Sequence, residues 1–254
     1  VYSGESALRL RACLHSLAAQ KLMADELILV EDGDIPWDLK AVIEEFRSRL
    51  NIISVVLPEK MGLAKALNSG LKHCSYELVM RMDTDDVALP ERFQKQLELI
   101  NQGYDLVGGA VLEVNDKNQP IAIRRPPLDQ NNIRMQLSKR SPFNHMTVAI
   151  RTDFVRKCGG YPDVYLKEDY ALWATMISNG ARVANTSDIL VHASGGREMY
   201  QRRGGLRYVR SEVGLQRHLL KCDVTTLPKA LLYGSLRSVV FLIPSRLRGW
   251  MYET

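Results

Sequence analysis

Over residues 1–114 the hydrophobic pattern switches back and forth between two periods, and that alternation limits the architectures open to the chain. Residues 5–19 place Ala7, Leu10, Leu14, Leu17 and Ala18 at helical spacing, and residues 26–30 form a short apolar run that stops at Glu31-Asp32-Gly33. The pattern repeats with a helix expected over 37–50, a strand over 52–57, a helix over 62–74, a strand over 77–82 and a helix over 90–101 that opens on Pro90. Residues 105–114 are β-rich. Such a βαβα rhythm calls for a mostly parallel sheet with helices on both faces. With 254 residues, 46% of them hydrophobic, the chain is long enough to bury a core of that kind in one large α/β domain.

Beyond Pro120 the rhythm weakens. Arg124-Arg125-Pro126-Pro127 is punctuation; a short helix is expected near 131–138, a strand over 147–150, a turn at Gly159-Gly160-Tyr161-Pro162, and a helix over 169–179 closed by Gly180. From Gly204 onward two amphipathic helical stretches are split near residues 226–228.

The densest chemical signal lies in Leu78-Val79-Met80-Arg81-Met82-Asp83-Thr84-Asp85-Asp86. A hydrophobic strand delivers three carboxylates to the turn at its carboxyl end, where open α/β sheets bind ligands. Three acids so close repel one another unless a cation or hydrogen bonds offset the repulsion. Hard oxygen ligands of this kind suit Mg²⁺ or Mn²⁺. Alternatively the acids cap the helix that begins at Pro90.

Taken in order, Tyr2-Ser3-Gly4-Glu5, Val30-Glu31-Asp32-Gly33, Gly62 to Gly70 with Lys65 and Asn68, Asp83-Thr84-Asp85-Asp86, Gly159-Gly160-Tyr161 and Glu168-Asp169-Tyr170 resemble the family-2 glycosyltransferases of the GT-A fold. The resemblance spans roughly residues 1–195. It implies a GT-A mixed sheet with helices on both faces, and an inverting, metal-dependent transfer of a sugar from a nucleotide diphosphate. Asp32 would then bond the nucleobase, with Tyr2 and Glu5 lining the base and ribose pocket. Lys65 and Arg203 would face the diphosphate. Asp83 and Asp85 match the D-x-D pair, the second being the metal ligand, with His192 as a further candidate ligand. Glu168 and Asp169 match the acidic pair on the acceptor side; Asp169 is expected to be the base, with Glu168 second. His145, in Asn144-His145-Met146-Thr147, would border the acceptor.

That chemistry is coherent. A sugar hydroxyl needs a positioned carboxylate to take its proton, and the departing diphosphate needs positive charge beside it. A UDP-, dTDP- or GDP-linked donor, a saccharide or lipid-linked saccharide acceptor, and a role in building cell-surface polysaccharide are the implied partners and setting. Residues 78–87 also fit the h-h-h-D-x-D-x-[TV] pattern of haloacid-dehalogenase-like phosphatases, and a catalytically inactive sugar-nucleotide-binding scaffold is a third reading. A dehydrogenase fingerprint, G-x-G-x-x-G after the first strand, is absent from the sequence.

Charge divides the chain unevenly. Residues 195–254 hold 11 Lys/Arg against 4 Asp/Glu, and the other 194 residues hold 23 against 25. The expected organisation is therefore a catalytic domain over 1–195, with a donor half to about 114 and an acceptor half from about 115, followed by a basic amphipathic helical extension over 196–254. The extension suits the anionic inner face of a membrane; the chain carries no nucleic-acid-binding motif. Four dispersed cysteines without C-x-x-C spacing point to reduced thiols and a cytoplasmic setting, and no apolar run is long enough to span a membrane. The family's first hydrophobic strand, expected between those ending at Asp32 and Asp83, is missing ahead of Val1; the natural protein is expected to be longer at this end, or the chain to be unstable.

Overall fold

The computed structural model describes residues 1–115, 117–195 and 204–243. In order, the elements are α1 (Ala7–Ala18), β1 (Leu27–Glu31), α2 (Trp37–Phe46), β2 (Ile52–Val56), α3 (Leu63–His73), β3 (Leu78–Met80), β4 (Val87–Ala88), α4 (Arg92–Asn101) and β5 (Leu106–Val114). There follow β6 (Pro120–Arg124), α5 (Gln130–Leu137), a 3-10 turn (His145–Thr147), β7 (Ala149–Arg151), α6 (Thr152–Lys157), α7 (Glu168–Ser178), β8 (Val183–Ser194), α8 (Leu206–Lys221) and α9 (Leu227–Leu242).

The strands form two sheets. β1 and β2 pair in parallel, Leu27 opposite Ile52. The larger sheet runs β3-β7-β5-β8-β4, with β6 also paired to β5. Within it β5 and β8 are parallel, whereas β3–β7, β5–β7, β5–β6 and β4–β8 are antiparallel, so the sheet is mixed. The periodic first half folds as its pattern dictates. α1 and α2 bury Leu10, Leu14, Leu39, Ile43 and Phe46 against Leu29 and Ile52, while α3 sets Ala66 against Val55 and Leu57 on the other side of the pair. The second core gathers around Trp173, whose helix α7 has eight buried residues and is covered by α5 and α8.

Local chemistry starts and stops these helices. Asp129 caps α5 by accepting from the N–H groups of Asn131 and Asn132, both at 3.0 Å. Pro228 sits in the first turn of α9, where its missing N–H leaves no helical bond unmade. α9 packs on α8 through a buried ion pair, Arg237 Nη2 to Glu212 at 2.9 Å.

Between β1 and β3 lies an open slot. Among the described residues each of these strands pairs on one edge only, β1 with β2 and β3 with β7. The slot is a cavity of about 710 Å³ lined by Leu27, Ile28 and Val30 on one side and Leu78 and Met80 on the other, with Leu71 beneath. Val1 occupies its end. The Val1 ammonium donates to Val30 O and the Asp32 N–H donates to Val1 O, both at 2.8 Å. This two-bond pattern around Glu31 is the rung of a parallel ladder.

The segment from Val1 to Glu5 therefore links the carboxyl ends of β1 and β3: Val1 holds Asp32 and Glu5 accepts a hydrogen bond from Thr84. Everything chemical in the donor half gathers at that edge.

Candidate active site

The turn after β3 carries Asp83, Asp85 and Asp86, whose carboxylate oxygens come within 4.8 Å of one another. Asp86 is 3% exposed. One of its oxygens accepts from the Ser194 N–H at 3.0 Å, and the other is buried with no hydrogen-bond partner. Burial, then the charges of Asp83 and Asp85, push the Asp86 carboxyl up to about 8. Asp85 is raised by burial and by Asp83. An all-oxygen donor set with one orphaned carboxylate oxygen fits a hard divalent cation, which would relieve both the repulsion and the missing bond.

A residue that the sequence pattern did not single out organises this turn. Arg81, 9% exposed, grips both oxygens of Asp83. Its Asp83 partner outweighs the cost of burial and keeps the guanidinium charged. Arg92 of α4 braces it, donating to Arg81 O at 2.6 Å. The only sequence signal was a lone arginine inside an otherwise apolar strand.

On the donor side, Asp32 accepts from Met61 N at 2.6 Å and Gly62 N at 3.1 Å, which ties the end of β1 to the start of α3. Lys65 is exposed in the first turn of that helix. Tyr2 is 39% exposed, with Lys60 Nζ 4.4 Å from its ring centre. Glu5 lies beside the acidic turn: burial raises its pKa, and Asp85 and Asp83 add to the effect. Tyr2, Glu5 and Asp32 thus share one edge with the three aspartates.

Across from them stands the first turn of α7, with Glu168 and Asp169. Glu168 is buried, and its carboxyl is raised by burial and by Asp169. Tyr161 lies between the two acidic groups. Burial raises its phenol, Arg81 opposes the rise, and Asp169, Asp83 and Glu168 all act on it. The Tyr161 hydroxyl meets His145 Nε2 at 3.0 Å. The His145 ring packs edge-on to Trp173 with centroids 5.8 Å apart, and burial together with Arg81 holds it neutral.

Asn68 fixes Tyr161 from α3. Its side chain donates to Tyr161 O at 2.8 Å and accepts from Tyr161 N at 2.7 Å. Gly160 makes this possible: its φ is +76°, and a Cβ there would fall 2.3 Å from Asn68 Oδ1. Two motifs far apart in sequence are thereby one structural unit. Asn68 and Tyr161 were visible as motif members, but their pairing was not.

Two candidates are left. His192 sits on β8 opposite Val87, next to the turn, yet its ring nitrogens are not among the atoms that converge there; Asp86 takes the third place. Arg203, with Arg202, lies outside the described residues.

The fold matches residues 1–349 of TarS from S. aureus, solved in complex with UDP-GlcNAc: the TM-score is 0.72 at 19% identity, over 95% of this chain and 72% of that one. The architecture is therefore that of the GT-A glycosyltransferases. Residues 3–161, more than half of the chain, match the profile of glycosyl transferase family 2, and the chain belongs to that family. It is an inverting glycosyltransferase.

Relatives match along the full length. The amylovoran biosynthesis glycosyltransferase AmsE of Erwinia amylovora is 38% identical over 100% of this chain and 96% of its own. The UDP-Gal:alpha-D-GlcNAc-diphosphoundecaprenol beta-1,3-galactosyltransferase of Escherichia coli is 34% identical over 100% and 93%. Nothing supports the phosphatase alternative; the acidic pair at 168–169 opens a helix instead of following a strand. Among the described residues no helix is long and apolar enough to cross a membrane.

Proposed function

We propose that this enzyme transfers a sugar from a nucleotide diphosphate to a lipid-linked saccharide during cell-surface polysaccharide assembly. Residues 1–195 form the catalytic domain and 196–254 a basic extension. The observation that carries the reading is the trio Asp83, Asp85 and Asp86, converged within 4.8 Å at a strand's carboxyl end with one buried oxygen unpartnered. The relatives' activities suggest the substrate classes: one takes UDP-Gal to a diphosphoundecaprenol-linked sugar, another acts in amylovoran biosynthesis.

Asp85 and Asp86, with Asp83, would hold Mn²⁺ or Mg²⁺; bound there, the ion acts as a Lewis acid toward the diphosphate. Asp32, Tyr2 and Glu5 hold the nucleoside and Lys65 faces the diphosphate. Asp169 accepts the proton of the acceptor hydroxyl as its oxygen bonds to the anomeric carbon, and the bond to the nucleoside diphosphate breaks on the opposite face. One displacement inverts the centre and leaves no sugar on the protein. Burial, and then the neighbouring Asp169, raise the Glu168 carboxyl.

A lipid-linked acceptor implies work at a membrane surface, and α9 supplies a face for it. Leu231, Leu236 and Val239 are 56–63% exposed on one side of that helix, opposite the side that grips α8.

A screen of sugar nucleotides for Mn²⁺-dependent hydrolysis or transfer tests the core of the reading. Asp85→Ala should abolish metal-dependent turnover. Asp169→Asn should abolish transfer while leaving donor affinity within a few-fold. Full transfer by Asp169→Asn would sink the assignment of the base.

A further inference from the structure

A second concave site lies outside the catalytic edge. α8 presents Arg210, Gly214, Arg217 and Lys221 at positions i, i+4, i+7 and i+11, which fall on one face of a helix. With residues 162–165 this face encloses a cavity of about 490 Å³. All three cations are exposed, and none has an ion-pair partner among the described residues. Asp163 is the one carboxylate in the lining.

The cationic face is not needed to seat the helix. α8 is anchored through its other sides: Leu215 and Leu219 are fully buried, and buried Glu212 binds Arg237 of α9. His218, at the inner wall, is committed to Thr175 Oγ1 at 2.9 Å and Ala171 O at 3.1 Å, and burial lowers its pKa. Arg207 bonds the Tyr165 hydroxyl and stacks over its ring, tying the loop to the helix. Glycine at 214 keeps the middle of the stripe open; a Cβ there would meet only Val164 Cγ1, at an ordinary 3.7 Å.

A solvated helix face would be flat and salted with acids. This one is concave and sets three cations against the single carboxylate of Asp163, which concentrates positive potential. Its position is also specific. The loop that forms its wall starts right after Tyr161 and ends at Glu168 and Asp169, the groups on the acceptor side. We propose that Arg210, Arg217 and Lys221 bind a phosphate or diphosphate group, carried by the acceptor next to the sugar being extended. The assignment to the acceptor rests on the lipid-linked reading above; the anion site itself does not.

The test uses the full chain, the triple variant Arg210→Ala/Arg217→Ala/Lys221→Ala, and Gly214→Glu, which sets a carboxylate in the cavity while replacing a poor helix former by a good one. Inorganic pyrophosphate is titrated in EDTA by calorimetry, with Lys139→Ala, which removes an exposed cation away from the cavity, as the control for loss of surface charge. Affinity should fall at least tenfold in both cavity variants and stay within twofold in Lys139→Ala. Unchanged affinity in the triple variant and in Gly214→Glu overturns the proposal. Sedimentation with phosphatidylglycerol vesicles then separates the sources: binding lost in the variants assigns the site to a lipid headgroup, and binding retained assigns it to the acceptor's own diphosphate. Mn²⁺-dependent sugar-nucleotide hydrolysis should be unaffected by the cavity variants. If hydrolysis is absent from every form while pyrophosphate binding still depends on the three cations, the transferase reading falls and the anion site stands.

Discussion

Asp86→Asn should stabilise the metal-free protein at pH 8 and leave it unchanged at pH 4. The folded state holds the Asp86 proton up to about pH 8, whereas an ordinary aspartate releases it near 3.8. Between those values the folded chain binds more protons than the unfolded one, so stability falls as pH rises. A shift of about 4 units at ~1.4 kcal/mol each makes the penalty about 5–6 kcal/mol once pH passes 8. An asparagine carries no charge to bury, and its Oδ1 still accepts from the Ser194 N–H. Half of that figure would raise the melting midpoint by roughly 5–10 °C in a chain of this size. Mn²⁺ should narrow the gap, because the native protein with Asp86 gains binding free energy that the variant loses, about 2.7 kcal/mol at a hundredfold excess over Kd. Thermal melts followed by circular dichroism at pH 4, 6 and 8, in EDTA and then in Mn²⁺, read all of this. If the variant melts no higher than the parent at pH 8 in EDTA, or melts higher by the same margin at pH 4, the charge argument is wrong.

Other consequences follow from the geometry. Gly160→Ala places a Cβ at a left-handed φ and against Asn68 Oδ1, and should cost about 2–4 kcal/mol in urea denaturation; a loss under 1 kcal/mol would mean the loop yields freely. Arg81→Lys replaces a two-pronged grip on Asp83 by a single contact and should lower kcat/KM for the sugar nucleotide at least tenfold, about 1.4 kcal/mol; undiminished turnover would make Arg81 a bystander. Joining an extended stretch of five or six alternating apolar residues ahead of Val1 should raise the melting midpoint by at least 5 °C, since each new ladder bond contributes about 0.5–1.5 kcal/mol and the slot is apolar. An unchanged midpoint would show that the gap between β1 and β3 does not accept a strand.

Much of the donor half was legible because its helices and strands are amphipathic and each period is local. α1, α2, α3 and α4 lie within a few residues of their expected spans. The short strands β4 and β6 and the helix α6 went unanticipated. β4 has two residues and exists only because β8 passes beside it, and β6 is held by β5 although all but its last residue are exposed. The mixed character of the main sheet followed from the resemblance and not from the periodicity, which suggested a mostly parallel sheet, because direction is set by partners distant in the chain. In the site, the three acids announced themselves by spacing. Arg81 did not, because a buried cation is identified by what surrounds it. His192 lies on β8 opposite Val87, beside the turn, and Asp86 is the residue that joins Asp83 and Asp85 in the converging set.

The reciprocal bonds between Asn68 and Tyr161 bear on how such enzymes can be recombined. A graft that brings in a new acceptor lobe from a relative, cut anywhere between residues 74 and 158, separates the two ends of this clasp. The graft inherits a tyrosine loop shaped for one α3 side chain and lays it against another. Hybrids of this kind should fold and work only when residues 68 and 160–161 come from the same parent, so the boundary of an exchangeable module is drawn by that clasp.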